Sequence, residues 1–256
     1  MRFDNRRKKF RSILNGDRCV YPGSVFDPIS SRIAEDIGFE VGMFAGSIAS
    51  FTVLGAPDVI VLTLSEFAQQ AQRINRSSEL PLMVDADHGY GNALNVKRTV
   101  EELEMAGVSG MSIEDTELPQ PFGSVGRTKL LSIPEGVGKM KAALDGRQDP
   151  NLIIAGRTSA PGVTNMEDAL ERAMAYEKVG VDAIFLVGVK TKEQLEKISD
   201  AISIPIILGG GGSSDMMDLD YLSAKNVRIC LQGHQPFSAA VKAIYDTMKA
   251  LREGTP

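Results

Sequence analysis

The sequence is poor in the residues and segments that several classes of protein require. Only two cysteines occur, Cys19 and Cys230, and both lie inside apolar runs. This argues against a disulfide framework or a thiolate metal site and indicates a reducing, cytoplasmic compartment. No apolar run approaches the length of a transmembrane helix. The 28 Lys and Arg residues are outnumbered by 33 Asp and Glu residues, and the net charge of −5 argues against nucleic acid or an anionic membrane as the main partner.

What the sequence does contain is one pattern that recurs eight times, a short apolar run followed by a segment with helical character. A strand buried on both faces of a parallel sheet reads as continuous apolar sequence, and each run fits that description. The runs lie at 19–23, 41–46, 81–87, 110–115, 151–158, 183–188, 205–209 and 227–233. Eight strand–helix units in about 250 residues predict a closed (β/α)8 barrel of the TIM type, an α/β fold that spans residues 1–256 as a single domain.

The helical segments carry start and stop signals of their own. Asp27 is a suitable N-cap, and Pro28 suits the first turn of the helix that follows it. Gly107 and Gly180 each end a helix just before a buried run begins. The predicted helices between the strands lie at 28–37, 65–74, 95–105, 135–144, 165–179, 191–198, 214–224 and 236–251.

An additional helix is predicted before the first strand, within residues 1–16. Its basic stretch, Arg6-Arg7-Lys8-Lys9, is expected to form a solvated face. The apolar residues Phe10, Ile13 and Leu14 are then free to pack under the barrel.

The last helix, predicted at 236–252, carries a wide apolar stripe at helical spacing. Such a stripe must be buried, either because the helix closes its own barrel or because it packs on another subunit. The stripe consists of Phe237, Ala240, Val241, Ile244, Tyr245, Met248 and Leu251.

Acidic side chains appear abruptly at the ends of two neighbouring strands. Asp85 and Asp87 end the third run, and Glu114 ends the fourth. Carboxylates in such positions must be exposed at the rim or neutralised by a cation, and the ends of adjacent parallel strands converge. We therefore expect one shared metal site. Carboxylate oxygens without a Cys or His cluster favour a hard cation, so Mg²⁺ is the predicted cofactor, with Mn²⁺ as an alternative.

Other candidate site residues also follow the C-terminal ends of strands, where barrel enzymes carry their chemistry. Arg157 suggests an anionic substrate, because a guanidinium can hold a carboxylate through two parallel hydrogen bonds. Ser47 is a candidate ligand or, equally, a cap of the following turn. The remaining candidates are Gly46, His88, Asp115, the glycines at 209–212 as a weak phosphate-binding loop, and His234.

Structural roles are also possible for these residues. The segment 87–92 could be a capped Gly-rich turn, and Glu114 could serve only as an ion-pair partner of Arg157. The two histidines of the chain, His88 and His234, could be rim residues that never touch a substrate.

Three motifs together resemble those of the isocitrate lyase and phosphoenolpyruvate mutase superfamily. They are Asp85-Ala-Asp87-His88-Gly89-Tyr90-Gly91-Asn92, Ser112-Ile113-Glu114-Asp115 and Ile153-Ile154-Ala155-Gly156-Arg157-Thr158. The similarity runs from Ser24-Val-Phe-Asp27-Pro28 to Gly233-His234 and so covers nearly the whole chain. It implies a barrel in which Mg²⁺ chelates a 2-oxo acid or its enolate.

The loop after the fourth strand departs from two branches of that superfamily. Its lyases carry a Lys-Lys-Cys-Gly-His loop with a proton-donating Cys, whereas this chain has Leu118-Pro119-Gln120-Pro121-Phe122-Gly123. Mutases that handle phosphonopyruvate place Lys and Asn in the loop, and neither type occurs between Thr116 and Val125. Phe122-Gly123 and Gly233-His234 instead resemble the oxaloacetate decarboxylase branch.

That branch implies a Mg²⁺-dependent carboxy-lyase that converts oxaloacetate to pyruvate and CO2 through a metal-stabilised enolate. The resemblance gives Asp85 the role of anchoring the metal, with Asp87 and Glu114 acting mostly through metal-bound waters. Gly46 and Ser47 are expected to bind the 2-oxo carboxylate end of the substrate. Arg157 and His234 are expected to contact the rest of it.

Several alternatives remain open at this point. Within the superfamily, a C–C lyase acting on a substituted malate, similar to 2-methylisocitrate lyase, or a phosphonopyruvate-type enzyme would use the same metal site. A non-catalytic protein that binds oxo acids is disfavoured, because a bare binding site has less need of a Lewis acid. The resemblance also implies a homotetramer, a dimer of dimers in which the helix at 236–252 is exchanged between subunits.

Overall fold

A computed structural model of the chain describes residues 3–123, 126–210 and 214–254. Its centre is one sheet of eight parallel strands in sequence order. The strands are β1 (Gly23–Ser24), β2 (Gly42–Ala45), β3 (Leu82–Asp85), β4 (Gly110–Glu114), β5 (Ile153–Thr158), β6 (Ala183–Leu186), β7 (Ile206–Leu208) and β8 (Val227–Cys230). Helices cover the outside of this sheet, so the predicted (β/α)8 fold is confirmed.

The helices lie close to the predicted segments. They are α1 (Asp4–Leu14), α2 (Pro28–Asp36), α3 (Gly46–Ala49), α4 (Leu64–Asn75), α5 (Ala93–Met105), α6 (Ile133–Gly146), α7 (Ala160–Val163), α8 (Met166–Val179), α9 (Lys192–Ser199), α10 (Leu219–Ala224) and α11 (Gln235–Glu253). A π-helical turn, Ser50–Leu54, follows α3, and a 3-10 turn, Ser214–Met217, precedes α10. The short helices α3 and α7 were not predicted. Within the described ranges, no helix combines the length and apolar character needed to cross a membrane.

The first strand differs most from its prediction. Residues 19–23 were expected to form a continuous strand, but the ladder with β2 contains only Gly23 and Ser24. Pro22 explains the break, because it has no N–H to donate to a ladder. Val20 makes an isolated parallel bridge to Ile229 of β8, in which its N–H donates to the Arg228 carbonyl at 2.9 Å. This bridge closes the barrel between β8 and the segment before β1.

Two layers of apolar side chains form the core. One layer lies between the sheet and the surrounding helices. The other fills the inside of the barrel, where inward-facing residues alternate along each strand. The interior layer consists of Phe10, Leu14, Val20, Val41, Met43, Met83, Ile153, Ala155, Ala183, Phe185, Ile207 and Ile229.

Helix α1 closes the N-terminal end of the barrel. Phe10 and Leu14 are buried in the interior layer, as the sequence predicts. Gly110, at the start of β4, makes this close approach possible, because a Cβ there would lie 2.2 Å from Phe10 Cε1. Any larger residue at this position would push α1 away from the barrel.

The expectation that residues 6–9 form a solvated face is wrong for Arg6 and Arg7. Their side chains are only 5% and 3% exposed. Arg7 Nη1 donates to Asp149 Oδ2 at 2.9 Å, and its Nε donates to the Val108 carbonyl at 3.0 Å. These guanidinium groups can be buried because carbonyl and carboxylate oxygens of the loops beneath the barrel accept their hydrogen bonds in place of water.

Helix α11 leaves most of its apolar stripe uncovered in the single chain. No residue of this helix is buried. Ile244, Tyr245, Met248 and Leu251 are between 59% and 77% exposed. A contiguous apolar surface of this kind is typical of a face that packs against another protein surface.

Replacing Arg7 should test whether α1 holds the base of the barrel. Arg7→Met removes one partner of a buried ion pair and leaves Asp149 without its counter-charge, so the free energy of unfolding should fall by about 3 to 5 kcal/mol. Lys8→Met is the matched control, because Lys8 is exposed and forms its ion pair with Asp4, one turn away in the same helix. Urea unfolding at neutral pH measures both. Equal stability of the two variants would contradict the anchoring role.

Candidate active site

The alternation along the strands brings two oppositely charged side chains to the C-terminal end of the barrel interior. Met83 faces the interior, and Asp85 lies two residues further along β3. Ala155 also faces the interior, and Arg157 lies two residues further along β5. With a side-chain period of two, Asp85 and Arg157 therefore continue the inward-facing rows.

Arg157 is the centre of the charged cluster. Its Nη1 donates to Asp85 Oδ2, and its Nη2 lies 3.2 Å from Glu114 Oε2. Ser112 donates to the other oxygen of Asp85 at 2.9 Å. The guanidinium carbon also lies 5.4 Å from the centre of the Phe185 ring. The alternative role for Glu114, an ion-pair partner of Arg157, is thus realised in the structure.

The pKa values of Arg157 and Glu114 both depend on this arrangement. Burial alone lowers the pKa of Arg157, but the negative charges of Asp85 and Glu114 outweigh it and raise the pKa. Burial raises the pKa of Glu114, and Arg157 opposes that rise. The guanidinium therefore remains charged and is the counter-ion for the carboxylates around it.

Asp87 lies in a tight turn beyond β3. Its φ is +47°, and the turn continues through Tyr90 at φ +58°. The turn is fixed by Glu114, whose N–H donates to the Asp87 carbonyl at 2.9 Å. Only glycine fits at position 46, because a Cβ there would lie 2.3 Å from Asp87 Oδ2. Burial and then the charge of Asp85 raise the pKa of Asp87 well above its usual range.

Two cavities open on either side of the Arg157–Asp85 pair. An acidic cavity of about 520 Å³ is lined by Asp58, Asp87 and Glu114. A larger cavity of about 740 Å³ is mostly apolar and reaches His234. Ser47, Asp85 and Arg157 line both cavities. A molecule that spans the two would meet a cluster of carboxylates at one end and an apolar chamber at the other.

His234 occupies the wall of the larger cavity. Its Nδ1 lies 2.9 Å from Ser24 Oγ. Burial lowers the pKa of His234, whereas the charge of Asp85 opposes that change. The imidazole is therefore neutral near neutral pH.

The structure brings together most of the predicted site residues, which are Gly46, Ser47, Asp85, Asp87, Glu114, Arg157, Gly209, Gly210 and His234. His88 is buried outside both cavities, and burial lowers its pKa to about 4. Asp115 is also buried and bonds to Arg172 and Tyr176. Both therefore belong to the packing around the site. Positions 211 and 212 of the predicted phosphate-binding loop lie outside the described residues.

The donor set fits a divalent cation. Within the described ranges, no group of three or more His, Cys, Asp or Glu side chains is already arranged to hold a metal ion. Nevertheless, Asp85, Asp87 and Glu114 face one guanidinium, so negative charge exceeds positive charge there. All three supply hard oxygen donors, as Mg²⁺ requires.

Three residues important to the geometry had no role predicted from the sequence. Ser24 contacts His234, Ser112 holds Asp85, and Phe185 lies against Arg157. Ser112 and Phe185 could have been found from the period-two pattern, since both face partners on adjacent strands. Ser24 could not, because 210 residues separate it from His234.

Known proteins resemble this chain in sequence along nearly its whole length. A model of the phosphoenolpyruvate phosphomutase family matches residues 10–252. The chain is 58% identical to an oxaloacetate decarboxylase of Rhodopseudomonas palustris (strain BisB18), covering 100% of this chain and 88% of that protein. It is 57% identical to an oxaloacetate decarboxylase of Bradyrhizobium diazoefficiens, with the same coverage.

Two solved structures with the same fold contain bound small dicarboxylates. Oxaloacetate acetylhydrolase in complex with 3,3-difluorooxalacetate is 29% identical, with a TM-score of 0.88, and the match covers 99% of this chain and 89% of that one. Phosphonopyruvate hydrolase in complex with oxalate and Mg²⁺ is 26% identical, with a TM-score of 0.85 and coverage of 98% and 88%.

The raised pKa of Asp87 predicts a gain in stability when its charge is removed. A carboxyl group whose folded pKa exceeds its unfolded value begins to destabilise the fold as the pH rises above the unfolded pKa, and the effect is complete above the folded pKa. In metal-free protein, Asp87→Asn should therefore increase the free energy of unfolding by about 1 to 2 kcal/mol near pH 8. The gain should disappear below about pH 4, where the carboxyl is protonated in both states.

Urea unfolding between these two pH values checks the prediction. Asp200→Asn, which removes an exposed carboxylate at the end of α9, is the control and should change little. If the wild-type protein is as stable as Asp87→Asn at about pH 8, burial of the Asp87 charge does not lower the free energy of unfolding.

Proposed function

The chain belongs to the phosphoenolpyruvate phosphomutase family, and on that premise we propose that it decarboxylates oxaloacetate to pyruvate and CO2 with the help of a divalent cation. The observation that carries this proposal is the position of Arg157 and Asp85 between an acidic and a largely apolar cavity. The names of the relatives that are more than half identical support the same substrate.

Asp85, Asp87 and Glu114 are the residues that would hold Mg²⁺ or Mn²⁺. Asp85 is the proposed direct ligand, and the other two act mostly through water. When bound, the cation would withdraw electrons from the 2-oxo group of the substrate. The presence of Mg²⁺ beside oxalate in the phosphonopyruvate hydrolase structure supports this choice of metal.

The protein orients the two ends of the substrate differently. Gly46 and Ser47 bind the 2-oxo carboxylate end beside the acidic cavity. Arg157 and His234 contact the rest of the molecule in the larger cavity. The substrate therefore extends past the residues that line both cavities. Its second carboxylate points away from the metal-binding carboxylates.

The apolar cavity favours loss of CO2. Met43, Phe185, Val187 and Leu231 line it, so a carboxylate placed there is poorly solvated compared with water. Breaking the C3–C4 bond turns that carboxylate into neutral CO2 and moves the electron pair into the enolate of pyruvate. Ser47, which binds the 2-oxo end, stabilises the negative charge that develops there. Water then supplies the proton to C3.

Parallel turnover assays test the proposed function. Metal-free enzyme should release pyruvate from oxaloacetate only after Mg²⁺ is added. Phosphonopyruvate and 2-methylisocitrate should be turned over poorly, because the loop after β4 lacks the side chains described for those reactions. Release of oxalate and acetate from oxaloacetate in place of pyruvate would overturn decarboxylation and indicate hydrolytic C–C cleavage.

Substitution of the carboxylates should separate their roles. Asp85→Ala should abolish Mg²⁺-dependent activity, because no other carboxylate reaches the same position from β3. Asp87→Ala and Glu114→Ala should weaken the metal dependence about 10- to 100-fold, as expected of residues that act through bound water. Titration of activity with Mg²⁺ measures all three. Full activity of Asp85→Ala at the wild-type Mg²⁺ concentration would remove the metal assignment.

Arg157→Lys should not restore function. A lysine keeps the positive charge but loses the planar fork that contacts Asp85 and Glu114 in the free enzyme and the substrate in the complex. We expect kcat/KM for oxaloacetate to fall about 30- to 1000-fold, equivalent to about 2 to 4 kcal/mol of transition-state stabilisation. Steady-state kinetics measure this loss. A kcat/KM equal to that of the wild type would rule out the proposal that Arg157 holds a carboxylate of the substrate.

The exposed stripe of α11 supports a homo-oligomer, which we propose to be a tetramer of exchanged pairs. Tyr245→Glu combined with Met248→Glu should lower the mass in solution to that of a single chain or a smaller assembly, because charges cannot be buried in an apolar contact. Lys242→Ala, on the polar face of the same helix, should leave the mass unchanged. Light scattering at micromolar concentration measures it. A wild-type monomer would contradict the proposal.

A further inference from the structure

His234 takes an unusual position for a residue that begins a helix. It is the N-cap residue of α11, but its side chain forms no capping hydrogen bond. Its imidazole instead lies beside β1, with Nδ1 2.9 Å from Ser24 Oγ. Gly233, at φ +87°, provides the turn between β8 and the helix that brings the ring there.

A second contact between the same two segments keeps this geometry in place. Phe26, two residues after Ser24, packs edge-to-face on Phe237, three residues after His234, with 5.4 Å between ring centres. Ser24 itself is held in the β1–β2 ladder opposite Met43. The hydroxyl and the imidazole are therefore presented to each other by two fixed pieces of backbone.

The hydrogen bond between them permits two arrangements of protons. If Nδ1 carried the proton, it would donate to Ser24, and Nε2 would be an acceptor. If Nε2 carries the proton, Ser24 donates to Nδ1, and Nε2–H remains as a donor. The two tautomers differ in what His234 offers a ligand in the cavity.

We propose that Ser24 is a positioning residue that donates its hydroxyl proton to Nδ1 of His234 and so fixes the Nε2–H tautomer, which offers a neutral hydrogen-bond donor to the substrate carboxylate. This inference rests on the proposed function of the larger cavity. It explains why a serine hydroxyl stands at the end of β1, where both it and His234 line that cavity.

The charges around the cavity favour this tautomer. Asp85 lines the same cavity, and its negative charge stabilises positive charge on the imidazole. A protonated Nε2 is therefore preferred to a lone pair on that nitrogen. An anionic substrate adds to the effect, because a carboxylate accepts from Nε2–H and is repelled by a lone pair. Burial, which lowers the pKa of His234, keeps the ring neutral so that one nitrogen is free to accept from Ser24.

The first measurement reads the tautomer directly in the free enzyme. The chain contains only two histidines, His88 and His234, so ¹⁵N-histidine labelling gives two imidazoles, and His234→Gln identifies which signals belong to position 234. We expect Nδ1 of His234 to be unprotonated and Nε2 to be protonated at neutral pH. A protonated Nδ1 with an unprotonated Nε2 would overturn the proposal.

The second measurement removes the hydroxyl. Ser24→Ala should shift the ¹⁵N signals of His234 toward a mixture of tautomers and lower kcat/KM for oxaloacetate about tenfold, the loss expected for one orienting hydrogen bond. Ser24→Thr retains the hydroxyl and should restore the wild-type tautomer and most of the activity. Ser109→Ala is the matched control, because Ser109 is a fully buried serine at the other end of the barrel.

The outcomes separate this inference from the proposed function. If oxaloacetate is not a substrate but Ser24→Ala still mixes the tautomers, the proposed reaction fails and the positioning role of Ser24 stands. If oxaloacetate is decarboxylated but Ser24→Ala leaves the tautomer of His234 unchanged, the positioning role fails alone. Circular dichroism and thermal melting of each variant identify misfolding, and the wild-type tautomer tests the proposal without any substitution.

Discussion

One guanidinium compensates the carboxylates that the barrel collects at its C-terminal end. Parallel strands with a side-chain period of two direct Asp85 and Arg157 toward the same space, and Glu114 lies opposite Arg157 in the β4–β5 ladder. Without Arg157, these acids would be buried beside one another with no counter-charge, which low-dielectric surroundings make costly. The remaining features of the site, from the turn at Asp87 to the division into two cavities, are arranged around this pair.

Local pattern was sufficient to predict most of the fold. Eight buried runs and their helices were found because burial on both faces and capping residues leave marks within a few positions of sequence. The errors arose where distant parts of the chain decide the outcome. Arg7 was expected in solvent because its acceptors lie 97 to 142 residues away. The first strand is shorter than predicted because Pro22 interrupts the ladder with β2 and Val20 pairs with β8 instead.

The candidate site, like the fold, could be predicted from the sequence only in part. Asp85, Glu114 and Arg157 were predictable, because charged residues stand out at the ends of apolar strands. Their pairing geometry was left open between a metal site and an ion pair, since both use the same residue types. Related structures at 25% to 29% identity share this barrel while their names describe different reactions. Differences in reaction must therefore come from residues that line the cavities and loops around a common framework.

The base of the barrel has a consequence for how the chain is made. Helix α1 leaves the ribosome before any strand of the barrel, yet Arg11 cannot form its ion pair until Asp182, 171 residues later, has been made. Val20 waits even longer for Ile229. A nascent chain thus completes the ion pairs of α1 only after Asp182 has been made, and the strand edge at Val20 stays open until β8 emerges. The segment before β1 and the last strand therefore become stable together, and the barrel closes only after β8 has been made.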